Sequence, residues 1–301
     1  MNEIKFLNNL FPQLKTTKNI IVGPGDDCAA LKWRGKQLLL VATDQLIAAQ
    51  HYTPGKTRAA EAGRKLLARN ISDIAAMGGT PLYATVCIAS GSTYNISFNE
   101  KFYSGILEIA DELEIAIIGG DLCGISEGHA SSLTILGEVA ADKIVLRSGS
   151  TPGDFLYSTG TFGNSFPTEH HLNFIPRLKE GQWLAEKGFA KSMIDVSDGL
   201  LLDILRICRA GKISVELNTD NIPLRTTGLS IEKILTDGED YELIFAVSPE
   251  HSQILEEDWP FKTKLTKIGS FLKSKEKRHS AFNQKGMELL EMLQSGYSHF
   301  L

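Results

Sequence analysis

Residues 58–77 carry alanines, leucines and isoleucines at helical spacing, and Gly78-Gly79 and Pro81 stop the run abruptly. A helix of this kind needs an apolar surface to lie on, and the flanking sequence supplies strands. Residues 37–42 form a short apolar run that ends in Thr43-Asp44, which predicts a buried strand presenting polar residues at its tip. Residues 82–89 predict another strand and 98–113 another amphipathic helix. Residues 115–118 predict a strand closed by Gly119-Gly120-Asp121, with 132–139 joining the same sheet.

The alternation then restarts. Gly153-Asp154 reads as a turn, 155–158 as a strand, 160–163 as a glycine-punctuated loop, 194–196 as a strand, 200–210 as a helix and 243–247 as a strand. The tail, 282–294, is expected to be helical. Two rounds of helix and strand in 301 residues predict an α/β (α+β) chain of two domains, 1–146 and 147–301.

The formal net charge of −5 leaves no clustered basic footprint, so a nucleic-acid partner is not expected. The basic run at 273–278 is broken by Glu276 and reads as a solvated loop. Neither a signal-peptide core nor a membrane-length apolar run appears, so the expected location is the cytoplasm, away from membranes. Cys28, Cys87, Cys123 and Cys208 lie far apart without a CxxC pair and read as buried free thiols.

Chemistry is concentrated in aspartates set beside glycine, serine or threonine at expected element ends. They are Asp26-Asp27, Asp44, Asp73, Asp121, Asp195, Asp198 and Asp240. Hard carboxylate oxygens suit Mg²⁺, which is shared with waters and substrate phosphates. Turn-making explains Asp26-Asp27 equally well, and helix capping explains Ser197 or Asp198. Asp73 is different: about one turn before a helix's C-terminal stop, a carboxylate opposes the helix dipole at about 0.3–1 kcal/mol, and a bound cation reverses that sign.

The common nucleotide motifs are missing. Gly55-Lys56-Thr57 lacks the first glycine of a phosphate-binding loop, because position 50 is glutamine, and Gly23-Pro24-Gly25 lacks the third glycine of a dinucleotide fingerprint. Protein-kinase and hydrolase signatures are absent as well. His129, His170, His171, His251, His279 and His299 are expected at the surface, and His51 is set apart only by following the strand that ends in Thr43-Asp44.

Together, GPGDDCAAL (23–31), TDQLIAAQH (43–51), KLLARNISDIAAMGGTP (65–81), GGD (119–121), LRSGSTPGDFLYSTGTFG (146–163), IDVSDGLLLD (194–203), DGEDYEL (237–243) and GYSHF (296–300) resemble the thiamine-monophosphate kinases of the aminoimidazole ribonucleotide synthetase-like superfamily. The resemblance implies an N-terminal α/β domain whose sheet pairs with that of a second subunit in a homodimer, and a C-terminal domain folding over it. It implies ATP- and Mg²⁺-dependent phosphorylation of thiamine monophosphate, with several ions. By motif position, Asp27, Thr43, Asp44, Asp73, Asp121, Asp195 and Asp198 resemble Mg²⁺ ligands. Gly120, Asp121, Arg147 and Ser197, with Tyr103, resemble nucleotide contacts. His51, Glu239 and Tyr297 resemble residues that hold thiamine monophosphate, and Asp44, Asp121 and Arg147 are the expected catalytic groups. Ala42 stands where the family usually has serine, which removes any ligand contact through that hydroxyl. The competing readings are another ATP-dependent enzyme of the superfamily and a non-catalytic nucleotide-binding regulator.

Overall fold

The computed structural model describes residues 3–274, 279–290 and 292. In chain order the elements are α1 (Glu3–Leu10), β1 (Ile20–Val22), β2 (Ala29–Lys32), β3 (Gln37–Ile47), α2 (Ala59–Ala76), β4 (Thr80–Ser90), α3 (Ile96–Glu112), β5 (Ala116–Gly124) and β6 (His129–Ala140). The second half holds β7 (Phe155–Thr159), α4 (His170–Asn173), α5 (Leu178–Lys187), β8 (Ser192–Asp195), α6 (Leu200–Gly211), β9 (Ile213–Leu217), α7 (Ile231–Thr236), β10 (Leu243–Val247), α8 (Pro249–Asp258), β11 (Leu265–Lys273) and β12 (Ala281–Asn283).

These strands make two sheets of six, ordered β1-β2-β3-β6-β4-β5 and β12-β9-β11-β7-β10-β8. In the first, β6 pairs antiparallel with both β3 and β4, and β5 joins β4 in parallel. Burial alternates strictly along β6, so one face is covered and the other is open. The covering layer is α2 and α3, whose buried residues share a core with Leu40, Leu46, Val86, Leu133 and Ile135.

Helix α2 is the hub between the halves. Its start is fixed by the Glu61 carboxylate accepting the Arg58 backbone N–H at 3.0 Å, and it ends where Gly78 takes a φ of +70°. It crosses α3 closely enough that a Cβ on Gly105 would sit 1.9 Å from the Ala60 carbonyl oxygen, and one on Gly63 1.8 Å from that of Phe102. Glycine is therefore needed on both sides of this crossing. Helix α5 lies against α2 through Gly181, and Leu172, Phe174, Leu178 and Tyr241 of the second half pack into the first core.

Four sequence expectations change. The strand expected at 37–42 runs on to Ile47, and the one expected at 115–118 runs on to Gly124, because the long β6 and β4 offer continuous ladders that outweigh the turn preference of Gly-Gly. Thr43-Asp44 and Asp121 therefore lie within strands rather than at their tips. Where the tail is expected to be helical, the described residues begin as β12, paired with β9, and turn at Gly286, while residues 291, 293 and 294 lie outside the described residues. Cys28 and Cys208 are buried as expected, but Cys87 and Cys123 are exposed on β4 and β5.

Candidate active site

Three of the expected aspartates converge. One carboxylate oxygen from each of Asp27, Asp73 and Asp195 lies within 4.8 Å of the others. Asp27 arrives on the turn before β2, which is tied to the end of α2 by the Cys28 N–H pointing at Met77 Sδ at 3.0 Å. Asp195 closes β8 and accepts a 2.6 Å hydrogen bond from Ser72 Oγ on α2. Thus one helix end gathers both halves of the chain around Asp73.

The electrostatics of this cluster are lopsided. Asp27 is paired with Arg147, whose Nη2 lies 2.7 Å from Oδ1, and Asp44 with Arg69, whose Nε lies 2.9 Å from Oδ2. Among the described residues no cation pairs with Asp73 or Asp195. Burial, followed by the repulsion of neighbouring aspartates, pushes both carboxyls well above the ordinary carboxylate range. An oxygen-only donor set whose carboxyls lack a cationic partner fits a hard divalent cation such as Mg²⁺, whose charge favours their ionised forms.

The other expected residues are placed differently. Asp198 and Asp203 share Arg206, and Asp203 Oδ2 accepts the N–H groups of Ser197 and Asp198 at 3.1 Å, so Asp203 rather than a capping side chain shapes the turn before α6. Asp26 accepts the Arg147 backbone N–H, and its carboxyl is raised to about 6, chiefly by burial and then by Asp27. Asp240 lies apart from the cluster, paired with Arg225 and accepting the Gly163 N–H at 3.2 Å, and burial raises it to about 7.

Successive residues of a strand face opposite ways. Asp44 shares the covered face of β3 with Leu40, Ala42 and Leu46, so Thr43 lies on the open face, where its hydroxyl meets that of Thr134 at 2.9 Å. Asp121 is in register with the exposed Cys87 on that open face. Gly120 sits against β4, where a Cβ would come 1.8 Å from the Val86 carbonyl oxygen. Tyr103 is half-buried against the first core.

The expected substrate side is a buried polar knot. Lys65 Nζ donates to the His51 carbonyl at 2.6 Å, to His171 Nδ1 at 2.8 Å and to the Glu239 carboxylate, which satisfies all three of its N–H groups. Burial pushes Glu239 up, but Lys65, His171 and Arg69 outweigh it and hold the carboxyl at about 2. His51 Nδ1 accepts the Ile47 N–H at 2.9 Å. Tyr297 and the rest of GYSHF lie outside the described residues.

Two histidines expected at the surface are interior. His171 is stacked on Phe166, and His129 is enclosed by Tyr52, Tyr94, Phe98 and Phe102. Sequence reading also passed over Lys65 and Arg69. Their signal was available: with Asp73 they are spaced by four on a helix whose buried positions are mostly apolar.

Two α/β sheets joined across an aspartate cluster define an AIR synthase related protein. The N-terminal domain described by that name matches residues 25–139, and its C-terminal domain matches residues 175–279. Thiamine-monophosphate kinase of Rhodopirellula baltica is 35% identical over 274 residues, 85% of this chain and 86% of that one. The Escherichia coli K12 protein of the same name is 31% identical, covering 81% and 82%. The crystal structure of thiamine-monophosphate kinase from Stenotrophomonas maltophilia K279a superposes with a TM-score of 0.75 at 26% identity, covering 95% and 98%. A structure described as AaThiL complexed with AMPPCP and TMP has the same fold, with a TM-score of 0.81 at 24% identity over 95% and 94% of the two chains. The chain belongs to the thiamine-monophosphate kinase family, a family of phosphotransferases.

Proposed function

We propose that this chain transfers the terminal phosphoryl group of ATP directly to the phosphate of thiamine monophosphate, giving thiamine diphosphate. The convergence of Asp27, Asp73 and Asp195 from both halves of the chain is the observation that carries it. That a protein of the same fold is complexed with AMPPCP and TMP supports the choice of nucleotide and acceptor.

Phosphoryl transfer passes through a loose transition state and asks the protein for position and charge balance rather than a covalent nucleophile. Asp27, Asp73 and Asp195 would hold Mg²⁺, which when bound neutralises the charge of the phosphates. Arg147 stands beside Asp27 with its guanidinium on that carboxylate and on the Gly25 carbonyl, and so lines the same site with a fixed positive charge. An acceptor phosphate has already lost its proton near neutral pH, so no general base is required. The interior histidines agree with this, because burial holds His129 at about 4 and lowers His171 as well.

We assign Thr43 and Asp121, with the rest of the open sheet face, to a homodimer. Thr43, Gln45, Tyr83, Cys87 and Asp121 are all exposed there, and a second sheet would cover them. Light scattering at micromolar concentration should report twice the mass of one chain. ADP release should require ATP, Mg²⁺ and thiamine monophosphate together. Equal turnover of unphosphorylated thiamine would overturn the assignment, because that acceptor lacks the phosphate the site must align.

A further inference from the structure

The resemblance assigns Asp44 to Mg²⁺, but the structure gives it to an arginine. Arg69 is buried on α2, one turn before Asp73, and its guanidinium is fixed on three sides. Nε meets Asp44 Oδ2 at 2.9 Å, Nη2 meets Oδ1 at 3.5 Å, and Nη1 donates to the Gln45 carbonyl at 2.7 Å. The Asp44 N–H is itself held by Asn70 Oδ1 at 3.2 Å. Both partners are therefore anchored, and the pair closes one side of the cluster with the chain's own cation.

Charge balance points the same way. The four carboxylates of Asp27, Asp44, Asp73 and Asp195 face two guanidinium groups, those of Arg147 and Arg69. Asp73 and Asp195 have no such partner among the described residues, so the two negative charges they carry once ionised to hold a metal are the ones left uncancelled. One divalent ion balances them, whereas a second would have to displace or crowd a guanidinium.

We propose that Arg69 is an internal counterion that removes Asp44 from the resting metal set, so that the nucleotide-free protein holds a single divalent ion between Asp27, Asp73 and Asp195. Further ions then arrive with the triphosphate, which brings the negative charge they need. Arg69 acts through Asp44 and is a positioning residue.

The inference rests on the metal reading of the cluster, and the test separates the two. Mn²⁺ is titrated into the full chain without nucleotide, and free Mn²⁺ is followed by electron paramagnetic resonance. The wild type should bind a single ion, and Asp73→Asn should abolish that binding; if Asp73→Asn binds as well as the wild type, the metal reading itself falls. Asp44→Asn should keep the stoichiometry at one ion and, by leaving the Arg69 charge uncancelled, weaken its binding. Arg69→Met should bind a second ion or bind the first at least about tenfold more tightly, and adding Asp44→Asn to it should reverse that gain. Loss of the ion in the Arg69→Met/Asp44→Asn double variant overturns the counterion role, because Asp44 would then be a ligand itself, and unweakened binding in Asp44→Asn overturns it even if Arg69→Met does not fold. An unchanged titration in folded Arg69→Met overturns it equally.

Discussion

Replacing Lys65 with methionine keeps a straight apolar stem of similar length and removes the ammonium that Glu239 was folded around. The side chains of Lys65 and Glu239 are 0% and 4% exposed, so solvent cannot take over the carboxylate. Glu239 sits at about 2 instead of its ordinary 4.5, which at about 1.4 kcal/mol per tenfold represents roughly 3 kcal/mol of stability at neutral pH. A depressed carboxyl contributes that stability above 4.5 and loses it as pH falls toward 2, so the effect is fully present at pH 7. The lysine opposes it: burial lowers its ammonium from 10.5 to about 8, a cost of similar size. The pair as a whole is therefore nearly neutral, while either partner alone is costly. In urea unfolding at pH 7, Lys65→Met and Glu239→Gln should each lose about 3 kcal/mol, and the double variant should recover most of one loss. Strictly additive losses, or a Lys65→Met protein within about 1 kcal/mol of wild type, would refute the reasoning.

Other expectations follow from the same geometry. His129 is buried among aromatic rings with its Nδ1 on the Tyr52 hydroxyl at 3.1 Å, and burial lowers it from 6.5 to about 4. The unfolded chain takes the proton first, so His129 contributes stability above pH 6.5 that disappears as pH falls toward 4, up to about 3 kcal/mol, and His129→Phe should flatten that limb of a pH-dependent melting curve. Gly105→Ala forces a Cβ to 1.9 Å from the Ala60 carbonyl and should cost about 3 kcal/mol or more, read as a lowered thermal midpoint; an unchanged midpoint would mean that α2 and α3 can separate freely. Mg²⁺ should raise the thermal midpoint of the wild type and not that of Asp73→Asn, and chelation should abolish turnover until the ion is restored.

Much of the frame was written locally. The apolar periodicity and glycine stop of α2, the exact run of β10 at 243–247 and the helices α3 and α6 follow from patterns within a dozen residues. The glycine-flanked aspartates marked the chemistry, and their order along the chain marked the family. Strand lengths were not legible, because the extensions through Asp44 and Asp121 depend on ladders supplied by β4 and β6, distant in sequence.

Which aspartates act together was decided by tertiary structure alone. Composition treats Asp27, Asp44, Asp73, Asp195, Asp198 and Asp240 alike; packing gives Arg69, Arg206 and Arg225 to three of them, Arg147 to Asp27, and no cation to Asp73 and Asp195 among the described residues. Lys65 and Arg69 show the same limit. Their spacing on α2 puts them on one face, but only the closure of the second half over that helix turns a solvent-seeking lysine into the buried partner of Glu239. The sequence determined which charges the protein carries and on which elements, since periodicity and turn chemistry are local. Only the fold determined which of those charges are cancelled, since cancellation depends on distances between segments that the chain brings together from opposite ends.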